Sequence, residues 1–367
     1  MKYFRLITIC ICLTSCLTPI DDFQPQTSQS FLTIEASLTD QTENNKVKIY
    51  YSSNLLFSTF SKPIEFTPVT KAKVFYTDEK GIKEELKESQ TGTYQTSSQF
   101  VGKIGSIYTL SIEFQNGEKY VSLPETMKAV PEIENLITRF EINDIYDKKD
   151  PKRAGFIVYL DFKDSEKQGD NYQWYWKNYE KINICETCVG APFDFRLNTC
   201  RRSSSDKVYN YSCDGNCWNV NFSTDLNLLS DVLLNGQRIT GKQVARIPYD
   251  SPTPYYLQLE QRALTQNAYN YYKNLKTQTQ DNGTLFDVPA ETRFNFNIKS
   301  TTNPQEKILG IFDVYSFKKI ITYIDRQQIA PKNELPVYKL NGGEFFGSVP
   351  CAEGINRTKI KPPQWKE

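Results

Sequence analysis

The chain contains no histidine at all. This single absence removes Ser-His-Asp and Cys-His catalysis, histidine-ligated zinc, iron and copper, and imidazole acid/base chemistry. An excess of one charge is also missing. Lysine plus arginine total 44 against 43 aspartate plus glutamate, so no basic face for nucleic-acid phosphates is expected. No glycine loop is built to cradle phosphate; Gly102 and Gly105 fall in a hairpin rather than between a strand and a helix. Methionine is scarce, and no apolar run is long enough to cross a bilayer as a stable helix.

Aromatics and polar residues fill the space. The 367 residues include 23 Tyr and 22 Phe, a mixture that suits half-buried pleated surfaces. The length allows two ordinary domains with their own cores. The reading is a mainly β chain: an immunoglobulin-like or prealbumin-like β-sandwich, then a larger β-rich domain with one packed helix.

The first residues read as a leader. Lys2 and Arg5 precede a short apolar stretch that ends at Leu13-Thr14-Ser15-Cys16, the pattern of a lipobox. Residues 1–15 are thus expected to be a lipoprotein signal peptide, with Cys16 acylated and exposed as the mature N-terminus. Acyl chains contribute about 0.8 kcal/mol per buried methylene, so such an anchor on outer-membrane lipid is effectively permanent. Residues 16–30 read as a flexible tether, and Asp21-Asp22 within it is an acidic pair of the kind seen in surface-export signals.

Six further cysteines remain: Cys185, Cys188, Cys200, Cys213, Cys217 and Cys351. An even number in an exported chain favours disulfides, with the pairing open. Five of them define a stapled insertion at 185–217, and Cys351 is placed to tie the tail back to it. The competing readings are a zinc site, from the Cys-x-x-Cys spacing at Cys185 and Cys188 with Cys213 and Cys217 beyond, and a redox pair at Cys185 and Cys188.

Residues 31–125 carry the sandwich pattern. Val47, Ile49 and Tyr51 alternate, as do Ala72, Val74 and Tyr76, and then Tyr108, Leu110, Ile112 and Phe114, with Asn116-Gly117 closing a hairpin into Tyr120. Residues 131–367 form the second domain, with long strands at 156–162 and 172–176. Tyr172, Trp174 and Trp176 share one face there; the face reads first as core and otherwise as a platform for a ligand or partner. A helix is expected over 265–277, with Thr265 as N-cap, one face formed by Leu264, Ala268, Tyr271, Tyr272 and Leu275, and Asn282-Gly283 beyond its end. Strands are expected at 293–298, 309–317 and 318–324.

The chemistry inventory is thin. Asp161 with Asp164, Glu84 with Glu85, and Asp21 with Asp22 are carboxylate pairs that read as solvated loops or strand edges. Asp214-Gly215-Asn216 offers too few oxygens for calcium and reads as a turn. No catalytic residue, cofactor or metal is assigned.

Several segments together resemble the DUF4249 family of Bacteroidota outer-membrane lipoproteins. They include the lipobox at Cys16, Phe31-Leu32-Thr33-Ile34-Glu35-Ala36, residues 68–74, Gly92-Thr93-Tyr94 and residues 105–110. In the second half they include Tyr172-Gln173-Trp174, Cys217-Trp218, Tyr256-Leu257-Gln258-Leu259, the tyrosines of 269–272, residues 283–290, and residues 307–312. The chain has Gly310-Ile311-Phe312 where the family has Gly-Tyr-Phe, and Asn297-Ile298 stands before it. The resemblance implies an outer-membrane, surface-facing lipoprotein found beside a TonB-dependent receptor. It implies a binding or accessory role in ligand uptake rather than an enzyme; a structural or adhesive role, or a carboxylate-driven glycosidase, are the alternatives.

Overall fold

In the computed structural model the structure describes residues 30–53, 66–142, 154–232, 234–249, 254–279, 292–326 and 344–366. Cys16, the leader, nearly all of the tether and Asn282-Gly283 lie outside the described residues. The protein is mainly β, with one helix among the described residues.

Strict alternation of apolar and polar residues builds the first core. Leu32, Ile34, Ala36 and Leu38 point inward from the strand Ser30–Thr39, and Val47 and Ile49 from Lys46–Ser53. Opposite them, Val74 and Tyr76 of Lys73–Asp78 and Tyr108, Leu110 and Ile112 of Ile107–Glu113 complete the cluster. Each such aliphatic side chain contributes roughly 1.5–3 kcal/mol on burial. The strand Lys83–Gln90 joins the layers: its first half pairs with Lys73–Asp78 and its second with Thr93–Gln95.

This sandwich does not close within residues 31–125. Ile298, Ile308, Phe312 and Val314 belong to the same core, brought by Ile298–Ser300 beside Lys119–Ser122 and by Ile308–Ile324 running parallel to Ser30–Thr39. The boundary drawn from sequence therefore assigns two strands of the first core to the second domain. Asn297 seals the junction. Its side chain accepts from the Phe312 amide at 3.0 Å and donates to the Phe312 carbonyl at 2.8 Å and to the buried Glu125 at 2.6 Å.

Two strand expectations change. Residues 309–317 and 318–324 form one 17-residue strand, because nothing at 317 and 318 breaks the chain. Its second half pairs antiparallel with Tyr255–Leu264, so one strand serves both cores. Conversely, 293–298 is extended only from Ile298: Asn295 takes a left-handed φ of 55° and spends its side chain on the Ile308 amide and the Glu306 carbonyl.

The second core packs the sheet of Ile133–Glu141, Gly155–Lys163 and Arg238–Pro248 against Asn171–Lys181 and Tyr255–Leu264. Phe156, Val158, Leu160 and Phe162 meet Tyr172, Trp174, Leu257 and Leu259. The helix Gln266–Thr279 begins where expected: Thr265 Oγ1 accepts from the Ala268 amide at 3.3 Å, and Ala268, Tyr271 and Tyr272 face the sheet. Among the described residues no helix is long and apolar enough to cross a membrane.

Three disulfides staple the cysteine-rich lobe: Cys185–Cys213, Cys188–Cys200 and Cys217–Cys351. The last ties the C-terminal segment to the lobe, beside the strand Glu344–Pro350, which runs parallel to Val208–Asp214.

Candidate functional site

A sheet buried on one face presents its polar alternates on the other. Here the outward residues come from three adjacent strands: Thr33, Glu35 and Ser37 from Ser30–Thr39, Lys46, Lys48 and Tyr50 from Lys46–Ser53, and Ile311, Asp313 and Tyr315 from Ile308–Ile324. They are not simply solvated, because the helix lies along the same face. Tyr271, Tyr272 and Leu275 form a wall over the sheet and leave a groove with two lobes that share Tyr271 and Leu275.

One lobe, of about 280 Å³, is charged. Arg262 reaches it from Tyr255–Leu264, its guanidinium held between the rings of Tyr175 and Tyr315 at 4.9 and 4.8 Å and paired with Glu260 at 2.8 Å. Burial alone would lower the pKa of this guanidinium, but the Tyr315 phenolic oxygen and the Glu260 carboxylate raise it, so Arg262 stays cationic. Asp313 is 3% exposed. Its Oδ2 accepts from the Tyr272 hydroxyl at 2.8 Å, and its Oδ1 has no hydrogen-bond partner among the described residues. Burial pushes its pKa up to about 6, against the opposing pull of the Tyr272 hydrogen bond and Arg262. Lys46 is held below the usual lysine range by burial and then by Lys48.

The second lobe, of about 270 Å³, is more aromatic. Tyr271 meets Phe296 edge-on at 5.1 Å, and Tyr50 meets Phe66 edge-on at 5.1 Å. The Tyr50 hydroxyl donates to Glu35 at 2.7 Å across the boundary between the lobes. Rings on both sides with fixed charges at one end suit a polar, elongated ligand that carries apolar faces.

Little of this groove was visible in the chain. The helix tyrosines stood out as a packing face, whereas Glu35, Lys46, Lys48, Arg262 and Asp313 gave no signal as a group. Thr33, Glu35 and Ser37 alternate like any solvent-facing strand edge, and only the helix overhead turns that edge into a wall.

The aromatic face of Tyr172, Trp174 and Trp176 lies elsewhere and belongs to the second core, as its first reading from sequence has it. Tyr172 and Trp174 are 0% and 1% exposed, in the second core, so they cannot serve as a ligand platform. Trp174 donates its indole N–H to Gln261 at 2.9 Å, and the Tyr172 hydroxyl donates to Asp164. Trp176 is half-buried against the same cluster. Asp161 and Asp164 are likewise buried rather than solvated. Asp161 accepts from the Gly241 amide at 2.8 Å and from Asn135 at 3.1 Å, and these two bonds, the amide first, hold its pKa below the usual range. Glu84 and Glu85 do sit on an exposed strand, and Gly215 occupies a turn.

The six cysteines expected to pair all do so, which leaves no thiolate for a zinc ion or a redox exchange at Cys185 and Cys188. The sulfurs of Cys185, Cys217 and Cys351 lie within 4.8 Å of one another because two bridges abut in the core of the lobe.

These features define a mainly β protein with a disulfide-stapled lobe and a groove between a helix and the outer face of a sheet. The family model described as domain of unknown function (DUF4249) matches residues 18–321, and the chain belongs to that family. No curated protein matches it.

Proposed function

We propose that this protein is an outer-membrane lipoprotein, anchored through an acylated Cys16, that binds a polar, elongated ligand in the helix–sheet groove without transforming it. It then acts as an accessory partner of a TonB-dependent receptor in ligand uptake. The observation that carries the binding role is the groove itself, with a shared aromatic wall at Tyr271 and fixed charges at Arg262 and Asp313. The lipobox and the family support the address and the companion. Three disulfides fit an oxidising envelope.

Co-purification tests the partnership. Protein extracted gently from its own membrane is expected to retain a large β-barrel receptor; a preparation that carries no barrel overturns that role and favours a structural or adhesive one.

One observation favours a second reading, a carboxylate-driven glycosidase. Asp313, with its pKa near 6, lines the same lobe as Glu35. Hydrolysis of a polysaccharide panel that is abolished by Asp313→Asn would establish it, and no turnover by the native chain removes it.

A further inference from the structure

Three carboxyl groups from separate stretches of chain meet beside the second core, and none of them lines the groove. Asp164 follows the strand Gly155–Lys163, Asp170 precedes Asn171–Lys181, and Asp231 follows Asn227–Ser230. They are 2%, 7% and 1% exposed, and each offers an oxygen that lies within 4.8 Å of the other two. Tyr172 and the Gly236 amide donate to Asp164, and Ser165 donates to Asp170. Asp231 Oδ1 accepts from the Gly169 amide at 3.2 Å.

A separate observation shows what these bonds leave undone. Asp231 Oδ2 is fully buried and has no hydrogen-bond partner among the described residues. The cation beside the cluster is Lys128, 3.5 Å from Asp170 and also bonded to the Gly169 carbonyl. A formal charge of −3 is thus set, among the described residues, against the Lys128 ammonium. Burying an orphan carboxylate oxygen beside two other carboxylates is strongly unfavourable unless a proton or a further cation supplies the charge.

We propose that Asp164, Asp170 and Asp231 bind a divalent cation of the calcium class, with Asp231 Oδ2 as a direct ligand. The donor set is all oxygen, which suits a hard ion and not zinc or copper. Calcium accepts an irregular shell completed by water, as three carboxylates on converging loops require. The ion brings the net charge of the three carboxylates and Lys128 to zero and clips the loop 164–170 to Asp231.

The test uses the full-length protein in detergent, stripped with EGTA, then titrated with calcium chloride by calorimetry and followed by thermal melting. One calcium per chain and a higher melting temperature are expected. Asp231→Asn keeps the shape of the side chain and is expected to weaken calcium binding at least about tenfold, while melting in EGTA is no lower than that of the native chain. Lys128→Met deepens the charge deficit and is expected to widen the gap between melting with and without calcium. The proposal fails if about 10 mM calcium gives neither heat nor a melting shift. It fails equally if Asp231→Asn binds calcium as the native chain does, or if Lys128→Met melts identically in calcium and EGTA.

Discussion

Gly310 and Ile34 face each other across the parallel pair that joins the first sandwich to the long strand, and the space between them admits no side chain. A Cβ on Gly310 would stand 2.0 Å from the Ile34 carbonyl oxygen, and Gly310 has a φ of 96°. Both the clash with backbone and the left-handed conformation oppose any other residue. Gly310→Ala is expected to destabilise the chain by at least about 3 kcal/mol, the range of strained backbone plus overpacking, as read from denaturant midpoints. A native-like midpoint would show that the strand can slide away from Ile34.

Asp313 gives stability a pH dependence of its own. Its pKa near 6 in the fold lies above the ordinary 3.8, so between these values the folded chain holds a proton that the unfolded chain has released. The contribution is therefore most favourable below about pH 4 and is lost as pH rises through about 6, a swing on the order of 2–3 kcal/mol. Subtracting the stability curve of Asp313→Asn from that of the native chain isolates the effect. A flat difference between pH 4 and 7 would contradict it.

The Arg262–Glu260 pair is expected to respond differently to single and double changes. Glu260 is 4% exposed and loses its counter-charge when Arg262 is truncated. Arg262→Ala should therefore cost roughly 3–5 kcal/mol, and replacing both residues by methionine should recover much of that loss. Chemical denaturation of both variants measures the coupling; a double replacement that costs as much as Arg262→Ala would mean that the pair does not act as a unit.

The bridges should differ in weight according to the chain they enclose. Cys217–Cys351 spans 134 residues and Cys188–Cys200 spans 12. Loop-closure entropy assigns them about 5 and about 3 kcal/mol as upper limits, so removing the former pair should lower the denaturation midpoint more. Equal losses would place the effect in the folded lobe rather than in the unfolded chain.

Local pattern carried the reading of the strands and of the helix, and it failed where distant chain supplies the partner. Tyr108, Leu110, Ile112 and Phe114 alternate, and all four are buried in the first core. Thr265 caps the helix as its hydroxyl suggests. The strand expected at 293–298 misled, since Asn295 turns left-handed between Phe294 and Phe296. That Ile308 and Phe312 fill the first core follows from a parallel pairing across nearly the whole chain, which no local period records. The groove was hidden for the same reason. Asp313 and Glu35 become neighbours only through that pairing, and Arg262 only through the next strand.

The binding role is tested most directly by native mass spectrometry of the protein extracted from its own envelope, compared with Tyr271→Ala. The chain is expected to begin at Cys16 with the mass of its acyl groups and to carry a small polar ligand that the variant, lacking the wall common to both lobes, has lost. A native chain and a variant that hold the same cargo, or none, would contradict the groove as the binding site; a bare sulfur with the leader still attached would contradict the anchor.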